Sequence, residues 1–123
     1  MKSAPARRSS CPVACTLDLL GDRWSLLVIR DLFLGKQRFE EFLASPEGIA
    51  TNILSVRLKS LARHGLIERT TDPEDGRRVL YQLTERGRST REILMQLAHW
   101  GLSQFRGTRA LPGTPSELRE AGE

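Results

Sequence analysis

The chain has 123 residues, a formal net charge of +4 and a pI near 9.7, which suits one domain and favours anionic partners without identifying them. Aromatics make up 6% of it, so aliphatic side chains must build the core. No run approaches the roughly 18 apolar residues of a membrane-crossing helix, the basic start lacks the apolar stretch of a secretion signal, and two early cysteines make no disulfide framework; a soluble, cytoplasmic protein is expected.

Residues 1–10 hold Lys2, Arg7 and Arg8 with no acid and no apolar periodicity, which predicts a disordered basic arm. Such an arm either solubilises the chain or tracks a DNA groove. Cys11-Pro12 then opens the folded part, expected over 11–106, and Pro12 suits a first helical position. Val13, Thr16, Leu17 and Leu20 recur at helical spacing as far as Gly21. Asp22 is a good N-cap for the next helix, whose Trp24, Leu27, Val28, Ile29, Leu32, Phe33 and Leu34 make it apolar on most sides and the expected pillar of the core.

Gly35 to Arg38 reads as a turn. Phe39, Phe42 and Leu43 make a short helix with Glu40 and Glu41 in its first turn, where the helix dipole favours acids, and Ser45 to Gly48 breaks it. In the stretch that follows, Leu54, Leu58 and Leu61 fall at i, i+4 and i+7 and form one stripe. The opposite side carries Asn52, Ile53, Val56, Lys59, Ser60 and Arg63, two cations and no acid, whereas a solvated helix usually mixes both signs. Gly65 suits a left-handed cap, and His64 beside it can interact with the last carbonyls. A short helix, a turn and a longer helix with an acid-free face is the helix-turn-helix pattern.

Leu66 to Thr71 and Arg77 to Leu83 read as two strands around the turn-rich Asp72–Gly76, a β-wing placed directly after that helix. Arg77 and Arg78 lie at its tip, where they either reach phosphates or pair with the wing's own Asp72, Glu74 and Asp75. Thr84 is the expected N-cap of a last helix bearing Ile93, Leu94, Leu97, Ala98, Trp100, Gly101, Leu102 and Phe105. This apolar surface exceeds what a small winged domain covers, so part of it should pack on a second copy; the alternative is that it folds wholly onto its own core. Residues 107–123, with Pro112-Gly113 and Pro115, read as a disordered tail.

No phosphate loop, zinc-protease helix or nucleophile elbow is present, and neither His64 nor His99 has companions that suggest a metal site, so no catalysis, metal or cofactor is expected. Cys11 and Cys15 are the reactive candidates. At i and i+4 in a helix their Cα atoms lie roughly 6 Å apart, within disulfide range, and Cys11 stands at a helix start beside N–H groups that favour a thiolate. The alternative is two semi-buried cysteines with no chemistry.

Several segments together resemble the HxlR-type winged helix-turn-helix regulators of bacteria, within the MarR-like superfamily. They are Cys11-Pro12-Val13-Ala14, Leu17 to Leu27 with its Gly21-Asp22-Arg23-Trp24, Arg30-Asp31-Leu32, Arg38-Phe39-Glu40-Glu41-Phe42, Leu54 to Lys59, Gly65-Leu66-Ile67 and Tyr81 to Gly87. The match spans roughly residues 11–103. Ala50 stands where many relatives have a Ser cap, which leaves the cap to Thr51 or to the preceding turn. The resemblance implies a mainly α fold with a small β-wing (α+β), and a cytoplasmic homodimer that binds an inverted-repeat operator. It implies dimerisation through the first and last helices, here by Val13, Leu17, Ile93, Leu94, Leu97, Trp100, Gly101 and Phe105. It also implies that the cysteine matching Cys11 senses oxidants or electrophiles in some members, while others answer to a small molecule. Cys15 is not at a family-wide cysteine position, so a Cys11–Cys15 pair would be particular to this chain.

The expected function is therefore transcription regulation on double-stranded DNA. Asn52 suits adenine, Ile53 or Val56 a thymine methyl, and Arg38, Thr51, Arg57, Lys59, Arg63, Arg77 and Arg78 complete the contact set. The alternative is a winged-helix protein–protein interaction module without specific DNA binding.

Overall fold

The computed structural model describes residues 7–109, in the order α1 (Pro12–Leu20), α2 (Ser25–Phe33), α3 (Phe39–Leu43), α4 (Thr51–Arg63), β1 (Ile67–Thr71), β2 (Val79–Leu83), α5 (Glu85–Arg88) and α6 (Arg91–Gln104). Residues 1–6 of the expected arm and 110–123 of the expected tail lie outside the described residues. Within the arm, the Arg8 guanidinium meets Asp18 of α1 at 2.6 Å, and Ser9 Oγ accepts the Cys11 N–H at 3.0 Å. Residues 8 and 9 therefore lie along α1 and are not free.

Pro12 opens α1 as expected. Asp22 captures the free N–H groups at the start of α2, accepting from Trp24 and Ser25 at 2.9 Å each. Trp24 falls just before the helix and not inside it. Val28, Ile29 and Leu32 bury α2 against α4 and β2, so the expected pillar is the observed one. Leu54, Leu58 and Leu61 of α4 meet it from one side, Phe42 of α3 from another, and each such burial contributes about 1.5–3 kcal/mol. Gly65, at φ 76°, closes α4 in the left-handed region, and His64 Nδ1 lies 2.8 Å from the Ser60 carbonyl.

β1 and β2 pair antiparallel, with Ile67 opposite Leu83 and Thr71 opposite Val79. The second strand starts at Val79 and not at Arg77, because the backbone from Asp72 to Arg78 satisfies itself. Asp75 N–H donates to the Asp72 carbonyl, Arg78 N–H to Asp75 and Asp72 N–H to Arg78. The Tyr81 N–H donates to the Gln37 carbonyl at 2.8 Å, tying the hairpin edge to the turn before α3.

The expected single last helix is two. Thr84 caps α5 as predicted, accepting the Gly87 N–H at 3.0 Å. Then the Thr90 hydroxyl and the Thr90 N–H both donate to the Gly87 carbonyl, and the Ser89 hydroxyl to the Arg86 carbonyl, closing α5 in a tight turn before α6 begins at Arg91. Leu94, expected at a subunit interface, is instead buried in the chain's own core at 9% exposure, and Ile93 packs partly against that core. The first turn of α6 lies over the domain and its later turns run past it. Hence Leu97, Trp100 and Phe105 stay more than half exposed, as do Val13 and Leu17 of α1.

Candidate nucleic-acid interface

Burial of Leu54, Leu58 and Leu61 fixes the rotation of α4 about its own axis. The far side must then face outward, and Thr51, Asn52, Ile53, Val56, Lys59 and Arg63 are all exposed. Two apolar side chains thus stand in water between an amide and two cations, a composition suited to base edges flanked by phosphates. Ala50 is the N-cap, with no side-chain hydrogen bond, and Thr51 is the first helical residue, so neither supplies a side-chain cap.

Of the remaining expected cations, Arg38, Arg57 and Arg78 are held by acids of other elements, and Arg77 is not. Arg57 lies about 100° around the helix from Leu58, on the flank of the buried stripe, and its Nη1 is 3.3 Å from Asp22 Oδ1. Arg38 Nη2 meets Asp72 Oδ2 at 2.9 Å, and Asp72 is buried, its other oxygen accepting the Glu74 N–H inside the wing. Arg78 Nη2 is 3.5 Å from Glu40 of α3. Arg77 is 93% exposed and touches Asp75 of its own turn at 3.4 Å, so the pairing within the wing does occur, though loosely. The wing is thereby fastened to α3 at two points while Arg77 projects from its tip.

A second cluster, not anticipated from the residues, holds the approach to α4. Both Arg30 Nη atoms donate to Glu47 at 2.8 Å, and Arg30 also donates to the buried Asp31. Asp31 accepts the Ser45 hydroxyl, which accepts from Lys36 Nζ at 2.6 Å. Hydrogen bonds from Arg30 hold the Glu47 carboxyl below its usual value and Glu47 raises Arg30 in return. Glu41 is lowered by the N–H groups of Gln37 and Arg38 that it caps. Burial alone would raise Asp22, but the Ser25 hydroxyl, two backbone N–H groups and Arg57 bring it below its ordinary range. The caps are local, but Arg30–Glu47, Ser45–Asp31 and Arg57–Asp22 lie 17, 14 and 35 positions apart, so only the fold brings those pairs together.

Away from this surface, an open groove of about 590 Å³ runs between α1 and α5–α6, floored by Leu19, Leu20, Leu66 and Ile93 and rimmed by Cys15, His64 and Arg86. Cys11 is exposed at the α1 N-cap, Cys15 is half-buried with its thiol donating to the Ser9 carbonyl at 3.4 Å, and both are free thiols. Among the described residues no group of three His, Cys, Asp or Glu could hold a metal, and no helix is long and apolar enough to cross a membrane.

A family profile described as HxlR-like helix-turn-helix matches residues 19–108. A helix-turn-helix-type transcriptional regulator of Synechocystis sp. is 41% identical over 91 residues, 74% of this chain and 67% of that protein. Among solved structures, the candidate transcription factor PA1607 is 39% identical with a TM-score of 0.77, over 85% of this chain and 74% of that one. The redox regulator HypR in its oxidised form is 32% identical with a TM-score of 0.69, over 82% of this chain and all of that one.

Proposed function

The chain belongs to the HxlR-like helix-turn-helix family of DNA-binding transcriptional regulators, and is not an enzyme; from that premise we propose that it acts in the cytoplasm as a homodimer on an inverted-repeat operator. The observation that carries this reading is the outward face of α4, rigidly backed by three buried leucines and free of acids. Two such helices, related by a two-fold axis, enter successive major grooves about one helical turn apart. Asn52 pairs with adenine, Ile53 or Val56 touches a thymine methyl, and Thr51, Lys59 and Arg63 hold phosphates. Arg77 reaches the flanking backbone, while Arg38 and Arg78, paired with Asp72 and Glu40, hold the wing that carries it.

Asn52→Ala should cost about 1–3 kcal/mol at one base position and relax specificity there, whereas Arg77→Ala should weaken all sequences alike and flatten the salt slope by about one. Titration of both variants across salt and operator variants separates the roles; identical sequence effects would refute them. A protein that ignores duplex DNA at every salt concentration would instead be an interaction module.

The signal enters where α1 meets α6 of the second copy. The exposed Cys11 reacts with an oxidant or electrophile, and the change at α1 alters the spacing of the two α4 helices. A small ligand in the α1–α6 groove is the competing input. Cys11→Ser should abolish release of DNA by peroxide; unchanged release would rule Cys11 out.

A further inference from the structure

The recognition helix is mounted on α2 at two places. Its approach is gripped by the Arg30–Glu47 fork, and its second turn by Arg57, which reaches Asp22 at 3.3 Å. Both members of the second contact are largely shielded, each about 28% exposed. Asp22 is itself fixed, since its two oxygens already accept from the Ser25 hydroxyl and from the N–H groups of Trp24 and Ser25. A carboxylate pinned by the start of one helix is a rigid anchor for a cation on another. Arg57 also lies on the flank of α4, rotated away from the arc that bears Asn52, Val56, Lys59 and Arg63.

We propose that Arg57 is a positioning residue, which sets the angle of the recognition helix by anchoring it to Asp22, and that it makes no contact with DNA phosphate. The proposal rests on the operator-binding reading above. Its physical content is that a base-reading helix discriminates only while its side chains meet the base edges in register, whereas phosphate attraction tolerates small rotations. Losing the anchor therefore removes discrimination and spares the sequence-independent attraction.

The test uses the full chain and two duplexes of about 30 base pairs, long enough for two half-sites one turn apart. One is selected from a randomised library by the wild-type protein; the other is its scrambled counterpart. Arg57→Gln and Asp22→Asn, the latter keeping an acceptor oxygen for the α2 N–H groups, should each lower affinity for the selected duplex on the order of tenfold. Affinity for the scrambled duplex and the salt slope should stay at wild-type values. The double variant should be no worse than the poorer single one, and Arg57→Lys should recover part of the loss. A role in stability alone would lower the melting temperature and depress both duplexes together, leaving their ratio unchanged.

The proposal is overturned if Arg57→Gln weakens both duplexes alike and flattens the salt slope by about one, the mark of a phosphate contact. It is overturned equally if Asp22→Asn tightens binding by releasing Arg57, or if neither variant changes the ratio. Should Asp22→Asn fail to fold, Arg57→Gln and Arg57→Lys against Lys59→Ala, a phosphate-contact control, decide the matter. A wild-type protein that enriches no duplex from the library would sink the operator reading, and this proposal with it. A selective wild type whose Arg57 behaves like Lys59 sinks this proposal alone.

Discussion

Glu47 accepts a two-pronged hydrogen bond from Arg30, and that fork joins α2 to the turn that launches α4. Its carboxyl is held below the ordinary carboxylate value, so it stabilises the fold above that value and loses its contribution as pH falls through the lowered one. Glu47→Gln should therefore cost about 1 kcal/mol or less at neutral pH, since solvent screens this partly exposed pair. The gap should start to shrink as pH falls past about 4.5 and vanish below the lowered value, as measured by urea unfolding of both proteins across pH. A constant gap at all pH values would show that shape, not charge, matters at this position. Gly87 is constrained differently: a Cβ there would sit 1.9 Å from the Leu66 carbonyl oxygen, so backbone lies against backbone where α5 meets the lead into β1.

Among the elements, the wing and the helix-turn-helix form one unit. Arg38–Asp72, Arg78–Glu40 and the Tyr81–Gln37 backbone bond all cross from the wing to α3 or its preceding turn. The Phe42 and Tyr81 rings meet edge to face with centroids 6.2 Å apart, adding an apolar contact to the polar ones. Arg77 is consequently carried at a set distance from α4, as a wing that reads DNA together with that helix requires. The break at Ser89–Thr90 serves the opposite end of the domain. Beyond it, Leu94 in the first turn of α6 closes the core and Leu97, Trp100 and Phe105 lie outside it.

For the molecule as a whole, Trp100 at 59% exposure, Leu97, Phe105, Val13 and Leu17 are apolar groups that one copy leaves in water. If a second copy covers them, Leu97→Glu with Trp100→Glu should give a monomer by sedimentation. Its circular dichroism should be native and its operator affinity far weaker, because one half-site remains. Leu94→Glu should instead unfold the chain, since a charge in that core has no partner. A double variant that stays dimeric would place the interface elsewhere.

Much of the fold was legible because local chemistry and tertiary demand agree. The leucine spacing of α4, the Asp22 cap, the Gly65 stop and the turn residues of the wing each express a backbone rule that acts within a few positions. The outward arc of α4 followed from the same spacing, since burying one stripe of a helix exposes the other. Which cations are free did not follow. Arg38, Arg57, Arg77 and Arg78 looked equivalent as basic residues, yet Asp72 and Asp22 lie 34 and 35 positions from Arg38 and Arg57, while Arg78 meets Glu40 and Arg77 projects. Leu94 and Leu97 were indistinguishable as apolar residues of one helix; only packing onto the core separates the buried one from the exposed one. The residues by themselves determined the elements, their caps and the acid-free face, because these depend on neighbours in the chain. Tertiary structure decided the ion pairs between elements and the boundary between core and open surface, because those depend on where distant segments meet.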